Sequence, residues 1–380
     1  MRGRVFRRGR TWSFVVDVGR DSSSGRRRQR TKGGYATRRE AEDALARLVA
    51  GVESLAPERS STGGLTVAGF LEQWLVAVIG TVKPSTAQDY RYKAEHYLIP
   101  RLRRVELRAL TPLDVRTLWA DLASSGGRDG HPLSANSVRG IQRVLRKALN
   151  DALDWELIDR NPTLRVKLPR STTAAVRSWT VAETRRFLDA VEHDRLAALW
   201  VLAVTTGMRR GELAGLRWVD VDLDAAMIHV RNTRVSVAHK VHEHDPKTRS
   251  SKRMVALDDR SVACLRAHRR HQLEERLAWG PAYVESGYVF TVENGAPIHP
   301  ERIGVLFHRI LRGLDLPRIR LHDLRHTSAS LMLAAGVHPK IVSERLGHSS
   351  ISVTLDLYSH VIPGLQADAA ERLGDLVFGG

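Results

Sequence analysis

Apolar positions change their period along the chain, and the changes divide it. Thr11 to Val18 reads Thr-Trp-Ser-Phe-Val-Val-Asp-Val, a partial alternation that predicts a strand. Past the turn residues Asp21-Ser22-Ser23-Ser24-Gly25, the run from Arg26 to Thr31 predicts a second strand. Thr37 with Glu40 three residues on is a capping-box pattern, and Leu45, Leu48 and Val49 give the helix behind it an apolar stripe. Trp12, Phe14, Val16, Val18 and Tyr35 let a small sheet bury one face on that helix.

From Pro57 to Gly64 the chain reads Pro-Glu-Arg-Ser-Ser-Thr-Gly-Gly, a linker. Helical periods follow. One opens at Thr66 and carries Phe70, Leu71, Trp74 and Leu75; the next opens at Pro84-Ser85 with Tyr90, Tyr97 and Leu98. Thr111-Pro112 opens a third, and Ser134 a fourth that runs to about Asp154. In the fourth, Arg139, Arg143, Arg146 and Lys147 form a basic stripe opposite Ile141, Val144, Leu145 and Leu149. Asn161-Pro162 stops this stretch, and a second linker covers about 167–177. The remainder alternates helix and strand. Helices are expected near 180–192, 195–205, 258–277, 300–313, 322–335, 338–346 and 351–359, and strands at Met227–Val230 and Arg253–Leu257. The terminal stretch puts Leu365, Ala369, Leu373, Leu376 and Val377 on one face.

Charge sharpens the picture. The 380 residues carry a formal +18, and residues 1–39 alone hold 13 Lys/Arg against 2 Asp/Glu. Such a concentration marks a basic module for a polyanion, bound by phosphate neutralisation and counterion release. No run of about 18 apolar residues occurs, so no membrane helix is expected. Nor is a secretory signal, since no apolar stretch follows Met1-Arg2-Gly3-Arg4. A single cysteine, Cys264, leaves no internal disulfide framework and suits a reducing, cytoplasmic setting.

Candidate chemistry lies in the last two hundred residues. In Thr206-Gly207-Met208-Arg209-Arg210-Gly211-Glu212-Leu213 an apolar helix ends and a new turn presents an arginine beside a carboxylate. A guanidinium fork suits two oxygens of one phosphate. In His322-Asp323-Leu324-Arg325-His326 the first and fourth residues share a helix face, pairing a fixed cation with a titratable donor. Leu346-Gly347-His348 ends a short helix, and Tyr358 follows ten residues after the histidine in Leu357-Tyr358-Ser359-His360. A tyrosine can act as a nucleophile where cations stabilise its phenolate. Pro246-Lys247-Thr248-Arg249 lies between the two strand-like runs, as a hairpin tip would, where Lys247 can protonate a leaving oxygen. Within these motifs Arg210 adjoins Arg209, and Lys240 and Lys252 are alternatives to Lys247. His239, His242, His244 and Asp245 read as a loop rather than a metal site, and no Gly-x-x-x-x-Gly-Lys-Ser/Thr loop is present.

Taken in order, Arg, Lys, His-x-x-Arg, Gly-His and Tyr resemble the tyrosine recombinases of the phage-integrase type, over roughly residues 64–365. The basic N-terminal segment resembles their arm-type DNA-binding domains. The resemblance implies a mainly α fold with small β-sheets (α+β) in three modules. These are an arm-type domain at 1–56, a helical, SAM-like core-binding domain at 64–165, and a catalytic domain at 175–380. It implies that Arg209 and Arg325 clamp the scissile phosphate, that His322 and His348 bind its oxygens, and that Lys247 is the general acid. Tyr358 would then attack, with Glu212 supporting the pocket from behind. Arg7, Arg8 and Arg10, with the basic stripe on the fourth helix, would contact DNA. No metal or other cofactor is implied. The implied partners are double-stranded attachment sites, a homotetramer on DNA that exchanges the tail from Leu365, an excisionase and a host DNA-bending protein. A type IB topoisomerase and a non-catalytic DNA-binding protein of the same fold are the competing functions.

Overall fold

A computed structural model describes residues 3–9, 11–20, 27–53, 64–168, 177–238, 240–244, 253–348, 350–352, 354–355, 371, 373–375 and 377–378. The chain forms two compact units, Met1–Thr173 and Ala174–Gly380. No helix among the described residues is long and apolar enough to cross a membrane.

The first unit opens with an antiparallel sheet, β1 (Gly3–Arg8), β2 (Thr11–Arg20) and β3 (Arg27–Tyr35), in that order. β1 was not expected, because only Val5 and Phe6 interrupt its glycine and arginines. The alternation in β2 works as read: Phe14 and Val16 are fully buried, and Phe14 stacks on Tyr35 with centroids 5.9 Å apart. Helix α1 (Arg38–Glu53) is capped by Thr37, whose Oγ1 accepts the Glu40 N–H at 3.2 Å. The Glu40 carboxylate accepts from Ala36 N–H, one residue before the box's usual partner.

Helices α2 (Val67–Ile79), α3 (Pro84–Lys93), α4 (Ile99–Leu102), α5 (Pro112–Ser125) and α6 (Ala135–Asp154) follow, with a π-helical turn at Ala94–Leu98 joining α3 to α4. Thr66, Thr111 and Ser134 each accept a backbone N–H as N-caps, and Thr111 with Asp114 completes a capping box. Phe14, Val16 and Ala44 belong to the same apolar cluster as Trp74, Leu98, Trp119 and Leu149. The sheet therefore buries its inner face in a core that the helices share.

The second unit surrounds α8 (Ala197–Thr205), which is buried from Ala198 to Val204. Against it stand α7 (Val181–Ala190), α9 (Arg210–Ala214), α10 (Asp259–Trp279), α11 (Pro300–Arg312), α12 (Asp323–Ala334) and α13 (Pro339–Leu346). A sheet of order β4 (Val221–Asp222), β5 (Met227–Val230), β8 (Arg253–Ala256) lies beside a hairpin of β6 (Thr233–Val237) and β7 (Lys240–His244). The two runs read as strands do pair, from Met227↔Ala256 to Val230↔Arg253. Their connection contains the β6–β7 hairpin as well, so the segment holding Lys247 joins β7 to β8 instead of closing a simple two-strand turn. Lys247 and Lys252 themselves lie outside the described residues.

Candidate active site

Helix α8 ends where Thr206 turns its hydroxyl onto Leu202 O (2.5 Å) and Gly207 adopts φ +61°. A side chain at 207 would clash: a Cβ there would stand 2.3 Å from Leu346 Cδ2 and 3.3 Å from Ser328 Oγ. The tight turn delivers Arg209 to the N-terminus of α9 in an extended conformation. Glu212, three residues on and 2 % exposed, accepts the Arg209 backbone N–H (2.9 Å) and Arg209 Nη1 (2.7 Å). Arg209 Nη2 donates to Gly347 O at 2.8 Å. Arg210 is exposed, so of the adjacent pair it is Arg209 that is tied into the site.

Gly347 caps α13 in the left-handed region (φ +69°), and the Glu344 and Ser343 carbonyls take up the N–H groups of Gly347 and His348 (both 3.0 Å). This turn sets His348, whose Nδ1 meets Thr354 Oγ1 at 2.8 Å. Burial first, then the nearby Arg325 and Arg209, push the His348 imidazole down to about 4. It is neutral at physiological pH.

His322 and Arg325 come from the start of α12. Asp323 anchors the entry by accepting from the Arg320 backbone and guanidinium (both 2.8 Å), while Thr327 is held by Asp323 O and in turn accepts Trp179 N–H. Arg325 is 4 % exposed and its Nη1 donates to Gly207 O at 2.8 Å. Among the described residues its buried Nη2 has no hydrogen-bond partner. Desolvation, reinforced by Arg209, lowers the Arg325 guanidinium to about 9. His322 remains open to solvent, yet the protein packed against it lowers its pKa, and His326, edge-on at 5.3 Å, and Arg325 act in the same direction.

Four of the expected site residues, Arg209, His322, Arg325 and His348, thus come from three separated segments into one neighbourhood, cross-linked through the Gly207 and Gly347 carbonyls. Glu212 sits beneath Arg209. Tyr358 and Lys247 lie outside the described residues, and Lys240 is exposed at the start of β7. Two participants were missed. Thr354 orients His348, and Arg253 binds both oxygens of Glu212 (3.1 and 2.9 Å). The signal for Arg253 was its place in β8: at period two it shares the inward face of buried Val255.

Of the expected DNA-facing cations, Arg7 and Arg8 are exposed on β1, and Arg10 is outside the described residues. On α6, Arg143 and Arg146 are exposed, and Arg139 is bonded to Asn136 (2.9 Å). Lys147 is paired with buried Asp151, which also accepts Trp74 Nε1 at 2.9 Å. Its charge is directed inward. No group of three or more metal-ligating side chains occurs among the described residues; His239 and Asp245 lie outside them.

Residues 178–363 match the model of the phage integrase family, residues 5–50 an arm DNA-binding domain, and residues 66–122 the N-terminal SAM-like domain of phage integrases. A tyrosine recombinase XerC-like protein of Caldanaerobacter subterraneus is 31% identical over 332 residues, 82% of this chain and 83% of that protein. The chain belongs to the phage integrase family. Its three-module, mainly helical architecture is that of the integrases. An integrase of Streptomyces ambofaciens is 28% identical across 94% of this chain and 92% of its own length. Among solved structures, the Tn1549 transposon integrase in complex with a circular intermediate DNA superposes with a TM-score of 0.69, at 22% identity, over 82% of this chain and 100% of that one. A lambda integrase tetramer bound to a Holliday junction gives 0.56 at 18% identity over 93% and 94%.

Proposed function

We propose that this integrase is a site-specific recombinase that cuts and rejoins duplex DNA by transesterification through Tyr358, moving a phage or other mobile element into or out of a chromosome. The observation that carries the reading is the convergence of Arg209, Arg325, His322 and His348, with a buried guanidinium nitrogen on Arg325 left without a partner among the described residues. Such a nitrogen carries an unpaid desolvation cost that an anion's oxygen would offset.

In this reading the scissile phosphate lies between the two guanidiniums. Tyr358 Oη gives up its proton to a pocket imidazole, His322 or His348, and attacks phosphorus; the P–O5′ bond breaks, and Lys247 gives its own proton to the departing 5′ oxygen. The arginines, held by backbone carbonyls before DNA arrives, stabilise the charge gathered on the non-bridging oxygens. Neutral His348 and His322 add hydrogen bonds to the same oxygens. The product is a 3′-phosphotyrosine and a free 5′-hydroxyl. Attack of a partner strand's 5′-hydroxyl on the phosphotyrosine reverses the step, so the ester bond is conserved and no nucleotide hydrolysis is needed. Exposed Arg7 and Arg8 serve the arm-type contacts, and Arg143 and Arg146 the core-site contacts. Assembly is a homotetramer on DNA, with an excisionase and a DNA-bending host protein setting direction.

A duplex nicked near its cleavage position tests the reading, because loss of the short fragment traps the covalent complex. The wild-type chain should accumulate a protein–DNA adduct and Tyr358→Phe should give none. An adduct that persists in Tyr358→Phe, or no adduct with any cognate site, would contradict the proposal. Relaxation of a plasmid lacking an attachment site would instead favour a topoisomerase.

A further inference from the structure

Arg253 stands outside the expected set, yet it ties two of the segments that build the site, those of Glu212 and of His348, to β8. It opens β8, its Nη1 and Nη2 donate to the two oxygens of Glu212 at 3.1 and 2.9 Å, and its Nε donates to Arg345 O at 2.6 Å. Arg345 lies two residues before Gly347, whose carbonyl holds Arg209. The Arg253 and Glu212 side chains are 6% and 2% exposed, while that of Arg209 is 37% exposed.

Resting on the reading of the pocket as a phosphate clamp, we infer that Arg253 is a positioning residue that neutralises Glu212 and thereby leaves the Arg209 guanidinium free to bind the scissile phosphate. A buried carboxylate attracts any neighbouring cation strongly, because little water screens it. With Arg209 as its sole partner, Glu212 would form a closed neutral pair and compete with phosphate for the same fork. Arg253 occupies both carboxylate oxygens, so Arg209 supplies only one side-chain N–H and keeps its net charge. The three groups together carry a formal +1, and Arg325 raises the pocket to +2. Burial pushes the Glu212 carboxyl up, but the Arg253 hydrogen bonds and charge, with Arg209 after them, hold it below its usual range. Glu212 is therefore a lasting negative charge that needs a lasting counter-charge. Arg253 supplies it from the side remote from solvent.

Single-turnover adduct formation on the nicked duplex, with the full chain, tests this. Arg253→Met should slow adduct formation by about 100-fold, the scale of one lost transition-state donor. Adding Glu212→Gln to Arg253→Met should recover at least about tenfold, because the uncompensated carboxylate is gone; a purely structural role predicts a further loss. Arg253→Lys, which keeps the charge without the fork, should stay within about tenfold of wild type. That variant decides the matter if Arg253→Met does not fold. A double variant no faster than Arg253→Met, or Arg253→Lys as slow as Arg253→Met, overturns the inference while a wild-type adduct leaves the recombinase reading intact. No adduct from the wild type would bring down both.

Discussion

Guanidinium and imidazole groups in the pocket are each set by a few named atoms. Arg325 is desolvated and donates to Gly207 O; His348 is fixed through Thr354 and kept neutral by burial and by two arginines. The histidine carries a pH consequence. In the unfolded chain it titrates near its ordinary 6.5, whereas in the fold it titrates at about 4. Between those values the unfolded chain binds more protons, so stability falls as the pH drops through that window and is insensitive to this group above it. Thermal unfolding of the DNA-free protein should show a midpoint that declines from about pH 6.5 to 4, less steeply in His348→Gln. Parallel wild-type and variant curves would contradict the assignment. That Arg209, His322, Arg325 and His348 would share one neighbourhood was legible only from the order of their motifs, since each motif alone is common. Arg253 was not, because nothing local in Ser-Lys-Arg-Met-Val shows that its partner lies some forty residues earlier.

At the scale of elements, the helix starts were readable from Thr66, Thr111 and Ser134, since a cap is a local interaction between a hydroxyl and an N–H a few residues on. The β6–β7 hairpin was not. Its turn places Ala238 at φ +51° without the glycine or asparagine that usually marks such a turn, and its strands are only partly buried. The turn after α8 is the opposite case, in which Gly207 is required both by φ +61° and by the approach of Leu346. Gly207→Ala should cost about 1–3 kcal/mol by denaturant unfolding, because it forces a strained backbone. The same shift displaces the carbonyl that holds Arg325 and the turn that delivers Arg209, so adduct formation should fall with it. Unchanged unfolding and cleavage in this variant would show that the turn does not position the clamp.

For the molecule as a whole, charge and chemistry are divided. The basic surplus is densest at the N-terminus, where the sheet nevertheless shares its core with the helices that follow; period and charge mark modules, and neither reports which cores merge. On the proposed reading, affinity for DNA is spread over many exposed cations, whereas cleavage depends on a few groups in the second unit. The decisive comparison is therefore the rate of adduct formation set beside the dissociation constant for one attachment-site duplex, for Arg209→Ala, Arg325→Ala and the pair Arg7→Ala/Arg8→Ala. The account predicts that each pocket variant loses at least about 100-fold in rate with only a few-fold loss of affinity, while the arm pair weakens affinity and flattens its salt dependence. Equal losses of rate and affinity in the pocket variants would contradict it.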